Sequence, residues 1–356
     1  MNRRALLRVG LTVLLAASAT AVAGCGDGAG GGSGSGGDKL LVGVDYPRSD
    51  TDFWNSYIGY VPRFAQELGV ELKTTNSQND IANLISNTQT FISQGVKGVV
   101  MAPQDTAAIA PTLTQLEDKK IPVVTIDTRP DTGKVFMVVR ADNRAYGTKA
   151  CQFLGTKLGG RGKVVMLQGG LDSINGRDRT EAFNECMRRD FPGITVFGEA
   201  TDWKAEVAAS KLQTRFASDP DIKGIYLQSS FALSGTLQIL KQRGLQVPPE
   251  DPRHVFVVSN DGIPQELKNI GEGLIDATVS QPADLYARYG LEYVKAAIEG
   301  RTFQPGPTEH GSTIIQVRDG LLEDQLPAPL VTLDGAPIAG EPTTRFDDPA
   351  LWGNNA

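Results

Sequence analysis

Histidine and cysteine are scarce in this chain: two His and three Cys among 356 residues. The histidines, His254 and His310, do not lie beside a candidate nucleophile, so a His-based triad has no evident members. Zinc and related metal sites need Cys and His at short spacing, and no such cluster occurs; no metal and no cofactor are expected. Also missing are a Gly-x-Ser-x-Gly elbow, a P-loop and a Gly-x-Gly-x-x-Gly turn. Their absence removes the common signatures of serine hydrolases, NTPases and dinucleotide enzymes. The formal net charge is −6, with no basic patch, which argues against a nucleic-acid partner. Long apolar runs are absent after the first 25 residues, and the one inside them, residues 11–23, is too short for a stable membrane span.

What is present begins with an address. Arg3, Arg4 and Arg8 precede the apolar run, the pattern of a signal peptide. Val22-Ala23-Gly24-Cys25 resembles a bacterial lipobox, in which Cys25 is lipidated and anchors the protein to the membrane. Residues 26–38 are mostly Gly and Ser and read as a flexible tether. The roughly 300 residues that follow are long for one core, so two lobes are expected. Cys151 and Cys186 each fall within a helix of the second lobe. Pairing outside the cytoplasm and two separate buried thiols both remain open.

From residue 39 short apolar runs alternate with segments of helical period. Runs at 40–44, 70–74, 98–101, 121–126 and 136–139 read as strands, with helices at 53–68, 81–92 and 107–119. A helix from 142 to about 158 restarts the pattern. Strands follow at 164–167, 194–197, 224–228, 255–259 and 277–280, with helices starting at 177, 203, 233, 263 and 285. Alternation of this kind builds a parallel sheet with helices on both faces. The break near residue 140 divides the chain into two such units, so an α/β fold of two Rossmann-like, doubly wound lobes is expected. Beyond residue 300 the period fades. Residues 313–317 read as one late strand and 334–356 as an irregular tail.

In an open parallel sheet, ligands bind outside the carboxyl ends of the strands. Phe53 and Trp54 follow the first strand and Asp127 follows 121–126. Asn143 follows the break, Arg177 follows 164–167 and Trp203 follows 194–197. Ser229, Asp261 and Gln281 follow the last three strands. Aromatic faces stack on the C–H face of a sugar ring. Carboxylates, amides and an arginine satisfy hydroxyls, each of which donates and accepts. Trp54 reads equally as core, Asp142 and Asp261 as helix caps, Arg177 as the partner of a nearby carboxylate and Trp203 as lid packing.

Several motifs add a resemblance: Asp52-Phe53-Trp54, Asn76-Ser77-Gln78-Asn79-Asp80, Pro122-Val123-Val124-Thr125-Ile126-Asp127 and Ala141-Asp142-Asn143. They continue with the run Gly176-Arg177-Asp178-Arg179-Thr180-Glu181-Ala182-Phe183, then Asn260-Asp261-Gly262 and Ala277-Thr278-Val279-Ser280-Gln281-Pro282. In order, over about residues 40–316, the chain resembles the ribose-binding-protein group of periplasmic sugar-binding proteins, the receptors of ABC importers. The resemblance implies a periplasmic binding protein-like I fold, two lobes joined by a three-strand hinge with crossings near 139–141, 281–283 and 306–313. The first lobe would hold 39–140 and about 282–311, the second 141–281 and about 312–333. Phe53 and Trp203 would sandwich the ligand ring; Asp127, Asn143, Arg177, Asp261 and Gln281 would bond its hydroxyls. A monomeric, extracytoplasmic, lipid-anchored receptor is implied, with a small carbohydrate or polyol and the importer's permease subunits as partners. Two departures stand out. Thr128 replaces an Arg of the ribose binders, with Arg129 one place late, and Ser229 replaces an Asn. A pocket wider or less polar than a ribose site is expected.

Two other classes share parts of this pattern. A ligand-sensing lipoprotein for a membrane signalling kinase has the same sequence features, and only a partner distinguishes it. A carbohydrate-active enzyme would use Asp127 and Asp261 as a carboxylate pair.

Overall fold

The computed structural model describes residues 40–356; the apolar leader, Cys25 and the Gly/Ser tether lie outside the described residues. The first lobe starts with β1 (Leu40–Tyr46), α1 (Asp52–Leu68), β2 (Val70–Asn76), α2 (Ile81–Ser93), β3 (Gly98–Met101), α3 (Ala110–Asp118), β4 (Val123–Ile126) and β5 (Met137–Ala141). The strands are parallel in the order β2-β1-β3-β4-β5. Every residue of β3 and β4 is buried, as in sheets covered on both faces. α1 starts where Thr51 Oγ1 accepts from the Trp54 amide and stops at Gly69 in the left-handed region. Its stripe of Phe53, Tyr57, Val61 and Phe64 is buried.

α4 (Asn143–Lys157) enters the second lobe. There follow β6 (Arg161–Gln168), α5 (Ile174–Asp190), β7 (Gly193–Ala200), α6 (Ala205–Ser218), β8 (Gly224–Leu227), α7 (Leu233–Gln242), β9 (Phe256–Asp261), α8 (Pro264–Gly271) and β10 (Ala277–Ser280). These strands are parallel in the order β7-β6-β8-β9-β10, so the repeat in sequence is a repeat in topology.

α9 (Ala283–Ile298) returns to pack on α1, β3 and β4. β11 (Gly306–Pro307), β12 (Thr313–Arg318) and β13 (Leu321–Leu326) then extend the first sheet, with β13 parallel to β5. Only β14 (Leu330–Thr332), antiparallel to β10, and β15 (Thr344–Arg345) join the second sheet. The third crossing therefore lies at residues 327–329, not at 306–313, and residues 312–326 belong to the first lobe. β13 escapes notice in the sequence because two of its buried residues are carboxylates. Glu323 pairs with Arg129 at 2.9 Å and lies 3.8 Å from Arg140. Asp324 accepts from the Tyr293 hydroxyl at 2.9 Å. Paired in this way, charges are tolerated inside. The tail expected to be irregular supplies β15 and a buried Trp352.

Cys151 on α4 and Cys186 on α5 form a disulfide, with Cα atoms 6.2 Å apart and a sequence separation of 35. Gly147 permits the close approach of the two helices, since a Cβ there would lie 2.4 Å from the Arg179 carbonyl oxygen. Closing a loop of this length removes on the order of 3–4 kcal/mol of unfolded-chain entropy. Reductant, or Cys151→Ser with Cys186→Ser, is expected to lower the melting midpoint followed by circular dichroism. An unchanged midpoint would contradict a stabilising bridge.

Candidate functional site

The ends of the strands of both sheets face one cleft. From the first lobe it is lined by Arg48, Thr51, Phe53, Trp54, Gln104 and Asp127, and from the second by Asn175, Arg179, Trp203, Ser229 and Phe231. Gln281, at the second crossing, completes it. Arg48 and Phe53 follow β1, Gln104 follows β3, and Asn175 and Ser229 follow β6 and β8. These are the positions where strand order reverses in each sheet, the usual ligand crevice of doubly wound folds. The empty space within the cleft, its opening to solvent included, is about 420 Å³.

Backbone conformation aims several of these side chains. Asp127 has φ of 60°, Trp203 59° and Asp261 123°, all in the region that L-residues rarely occupy. Such strain gathers at sites where the surroundings over-determine the geometry. Trp203 lies across Gly169 and Gly170 after β6. A Cβ on Gly169 would fall 2.1 Å from the indole Cη2, so the polar loop read from the sequence is the seat of the ring. Phe231 meets the ring edge-on at 5.9 Å, and Arg48 Nη1 donates to the Trp203 carbonyl oxygen at 3.2 Å.

The cleft cation that the second lobe supplies is Arg179, not Arg177; Arg48 is the cation from the first lobe. Arg179 is 2% exposed. Its Nε donates to Asn143 Oδ1 at 2.6 Å, its Nη2 to Gln281 Oε1 at 3.2 Å and its Nη1 to the Gln228 carbonyl oxygen. Its guanidinium also lies 4.9 Å from the Tyr146 ring centroid and 5.7 Å from that of Trp203. Arg177 points to the rim, where it pairs with Asp131 at 2.5 Å and donates to Thr106 Oγ1 at 3.1 Å and to the Leu171 and Asp172 carbonyls. It therefore ties the second lobe to the first at the mouth of the cleft. The cause is helix phase. α5 starts at Ile174 behind a Ser173 cap, three residues earlier than the sequence suggests. Asn175 and Arg179, one turn apart, share the cleft face, while Arg177 lies about 200° round from Arg179.

The other expected site residues divide into a lining and a support. Phe53, Trp54, Asp127, Trp203, Ser229 and Gln281 line the cleft. Asn143 stands behind Arg179, its amide donating to the Ala141 carbonyl at 2.9 Å. Asp261 is a buried hub: Oδ2 accepts from Ser229 Oγ at 2.7 Å and from the Ser230 amide at 2.8 Å, and Oδ1 from Gln281 Nε2 at 2.8 Å. Thr128 is buried and Arg129 pairs with Glu323. Arg48, Gln104 and Asn175 add polar groups to the lining beside Ser229. Arg48, Thr51, Gln104, Asn175, Arg179 and Phe231 were not singled out from the sequence. The i, i+4 relation of Asn175 to Arg179, in phase with Ala182, Phe183 and Cys186, was the available signal for two of them.

Two buried polar atoms of the lining have no partner within the protein: Asp127 Oδ1, an acceptor, and Trp203 Nε1, a donor. The other Asp127 oxygen accepts from Asn175 Nδ2 across the cleft at 2.9 Å. Burial pushes the Asp127 carboxyl up to about 6 against the pull of Arg179 and Arg140. Burial also raises Asp261, with Arg179 opposing. It pushes Glu266, which accepts from the Gly262 amide and Thr278 Oγ1, up to about 8, helped by the charge of Asp261. These folded-state values exceed the unfolded ones, so the folded protein holds the extra protons. The stability they contribute is complete below about pH 4 and is lost as pH rises through about 6 and then about 8. The melting temperature of the ligand-free protein is accordingly expected to fall between about pH 5 and about pH 8.5, and Glu266→Gln to flatten the upper part. A midpoint rising over that range in the wild type would contradict the assignment.

Among the described residues no helix is long and apolar enough to cross a membrane, and no group of three or more His, Cys, Asp or Glu is placed to hold a metal ion. A family model described as a periplasmic binding protein domain matches residues 42–302. A xylitol-binding protein of Mycolicibacterium smegmatis is 26% identical over 246 residues, 68% of this chain and 68% of that protein. A ribose import binding protein of Salmonella typhimurium is 26% identical over 240 residues, 67% of this chain and 78% of that one. Among solved structures, an ABC transporter solute-binding protein from Mycobacterium smegmatis with bound glycerol aligns with a TM-score of 0.69 at 25% identity, covering 74% of this chain and 90% of that one. One from Actinobacillus succinogenes with bound D-allose aligns with a TM-score of 0.72, covering 83% and 98%; at 18% identity it speaks to the fold alone.

Proposed function

Because this chain belongs to the periplasmic binding protein family, we propose that it is an extracytoplasmic receptor. It captures one small, neutral, polyhydroxylated molecule, a monosaccharide or sugar alcohol, and delivers it to the permease of an ABC importer. Cys25 would carry the lipid anchor, and the Gly/Ser tether would let the body reach its partner.

The observation that carries the ligand class is the pair of unpartnered buried atoms, Asp127 Oδ1 and Trp203 Nε1, in one cleft between aromatic faces. A hydroxyl-rich molecule offers a donor to the first and an acceptor to the second. Its C–H faces can rest on Phe53, Trp54 or Trp203. Arg179 already faces two carboxylates and Arg48 is paired with Asp50 at 2.5 Å, so neither offers surplus charge to an anionic ligand. The family is one of binding proteins, and the two aspartates serve here as acceptors, not as an acid and base for glycoside cleavage.

The test is a thermal-shift screen of xylitol, other polyols and monosaccharides on the soluble body. A ligand at about a hundred times its Kd stabilises by about 3 kcal/mol. If no member of the panel raises the melting temperature, the proposed ligand class is wrong. Metabolic-labelling detection of lipid on Cys25, lost in Cys25→Ala, tests the anchor separately.

A further inference from the structure

The C-terminal tail lies beyond the stretch matched by the family model, yet it reaches the back of the cleft. We propose that Trp352, at its end, is a positioning residue for the binding site, setting at once the ring of Phe53 and the turn that carries Asp261. The proposal rests on the binding role proposed above.

Trp352 is buried. Its ring meets Phe53 edge-on with centroids 6.0 Å apart, and its Nε1 donates to the Asp261 carbonyl oxygen at 3.2 Å. Phe53 belongs to the first lobe and Asp261 to the second, so one side chain bridges both. Both of its contacts are with residues whose orientation matters to a ligand. Phe53 lines the cleft. Asp261 adopts φ of 123°, a conformation that needs external support, and its carboxylate holds Ser229 and Gln281 in place.

The tail is fixed well enough to act in this way. β15 pairs with β14. Phe346 packs against Gly271 at the end of α8, where a Cβ would fall 2.7 Å from its ring. Asn354 Nδ2 donates to the Phe346 and Asp348 carbonyls at 3.0 and 2.9 Å, closing the last turn on itself. Beside Trp352 the Gly353 backbone presses on the Asp261 turn: a Cβ there would lie 2.2 Å from the Gly262 carbonyl oxygen.

The experiment uses the full chain carrying Trp352→Ala or Trp352→Phe. Calorimetric titration with xylitol, D-ribose and D-allose is set beside the melting temperature of each ligand-free variant. Trp352→Ala is expected to weaken the tightest of the three about tenfold, from the lost ring contact and hydrogen bond together, and to change the ratio of affinities among them. Trp352→Phe keeps a ring against Phe53 without the donor and is expected to recover part of the loss. A lower melting temperature with unchanged affinities and ratios in either variant would overturn the proposal and leave the tail a structural strap. If Trp352→Ala does not fold, the Phe variant decides in the same way. Failure of the wild type to bind any of the three or any other member of the polyol and monosaccharide panel would sink the proposed ligand class, and this positioning role with it.

Discussion

Arg179→Ala is expected to weaken ligand binding about a hundredfold to a thousandfold, the loss typical of removing one member of a buried, hydrogen-bonded charge network. Arg179 supplies three donors, to Asn143, Gln228 and Gln281. It is also a counter-charge for Asp127 and Asp261, both buried. Without it those carboxylates lose their shared counter-charge, and Gln281 Oε1 loses one of its donors while its Nε2 keeps the bond to Asp261. Arg179→Lys should rescue little, because an ammonium cannot reproduce the planar fork that reaches all three acceptors. Arg177→Ala is the comparison. At the partly exposed rim its ion pair with Asp131 is worth about 1 kcal/mol or less, so affinity should fall by less than about tenfold. Calorimetry on both variants, with folding checked by circular dichroism, decides the matter. A larger loss in Arg177→Ala than in Arg179→Ala would overturn the site as drawn.

Trp203→Ala is expected to cost roughly 2–4 kcal/mol of binding, the range of a buried aromatic anchor. The indole supplies an apolar face, a free N–H and a surface for Arg179. Trp203→Phe retains part of the face but not the donor, and should fall between wild type and alanine. Gly169→Ala offers the same test from below, since its methyl occupies the place of the indole ring. If Trp203→Ala binds as tightly as wild type while Phe53→Ala does not, the ligand lies against the first lobe only.

Much of this architecture is legible in the sequence because parallel strands buried on both faces write continuous apolar runs, and the helices between them write an apolar stripe. That alternation, with right-handed connections, implies parallel sheets covered by helices on both faces; the strand order that the two sheets share is seen only in the structure. Placing the ligand at strand ends needs no more, and it brings Phe53, Trp54, Asp127, Trp203, Ser229 and Gln281 to one cleft. What the pattern hides is phase and pairing. Arg177 and Arg179 are two residues apart, and only the true start of α5 at Ile174 decides which faces inward. β13 reads as polar because Glu323 and Asp324 have partners distant in sequence, Arg129, Arg140 and Tyr293. The tail has no period at all. It is held by contacts with residues far away in sequence, among them Phe346 on Gly271 and Trp352 on Asp261, which no window of sequence can anticipate.

The chain has three tryptophans, Trp54, Trp203 and Trp352. Two border the cleft and the third touches Phe53 and Asp261 behind it. Nearly all the indole emission of the protein therefore originates within a few side chains of one ligand. The receptor is its own optical gauge: a titration can be followed without a dye.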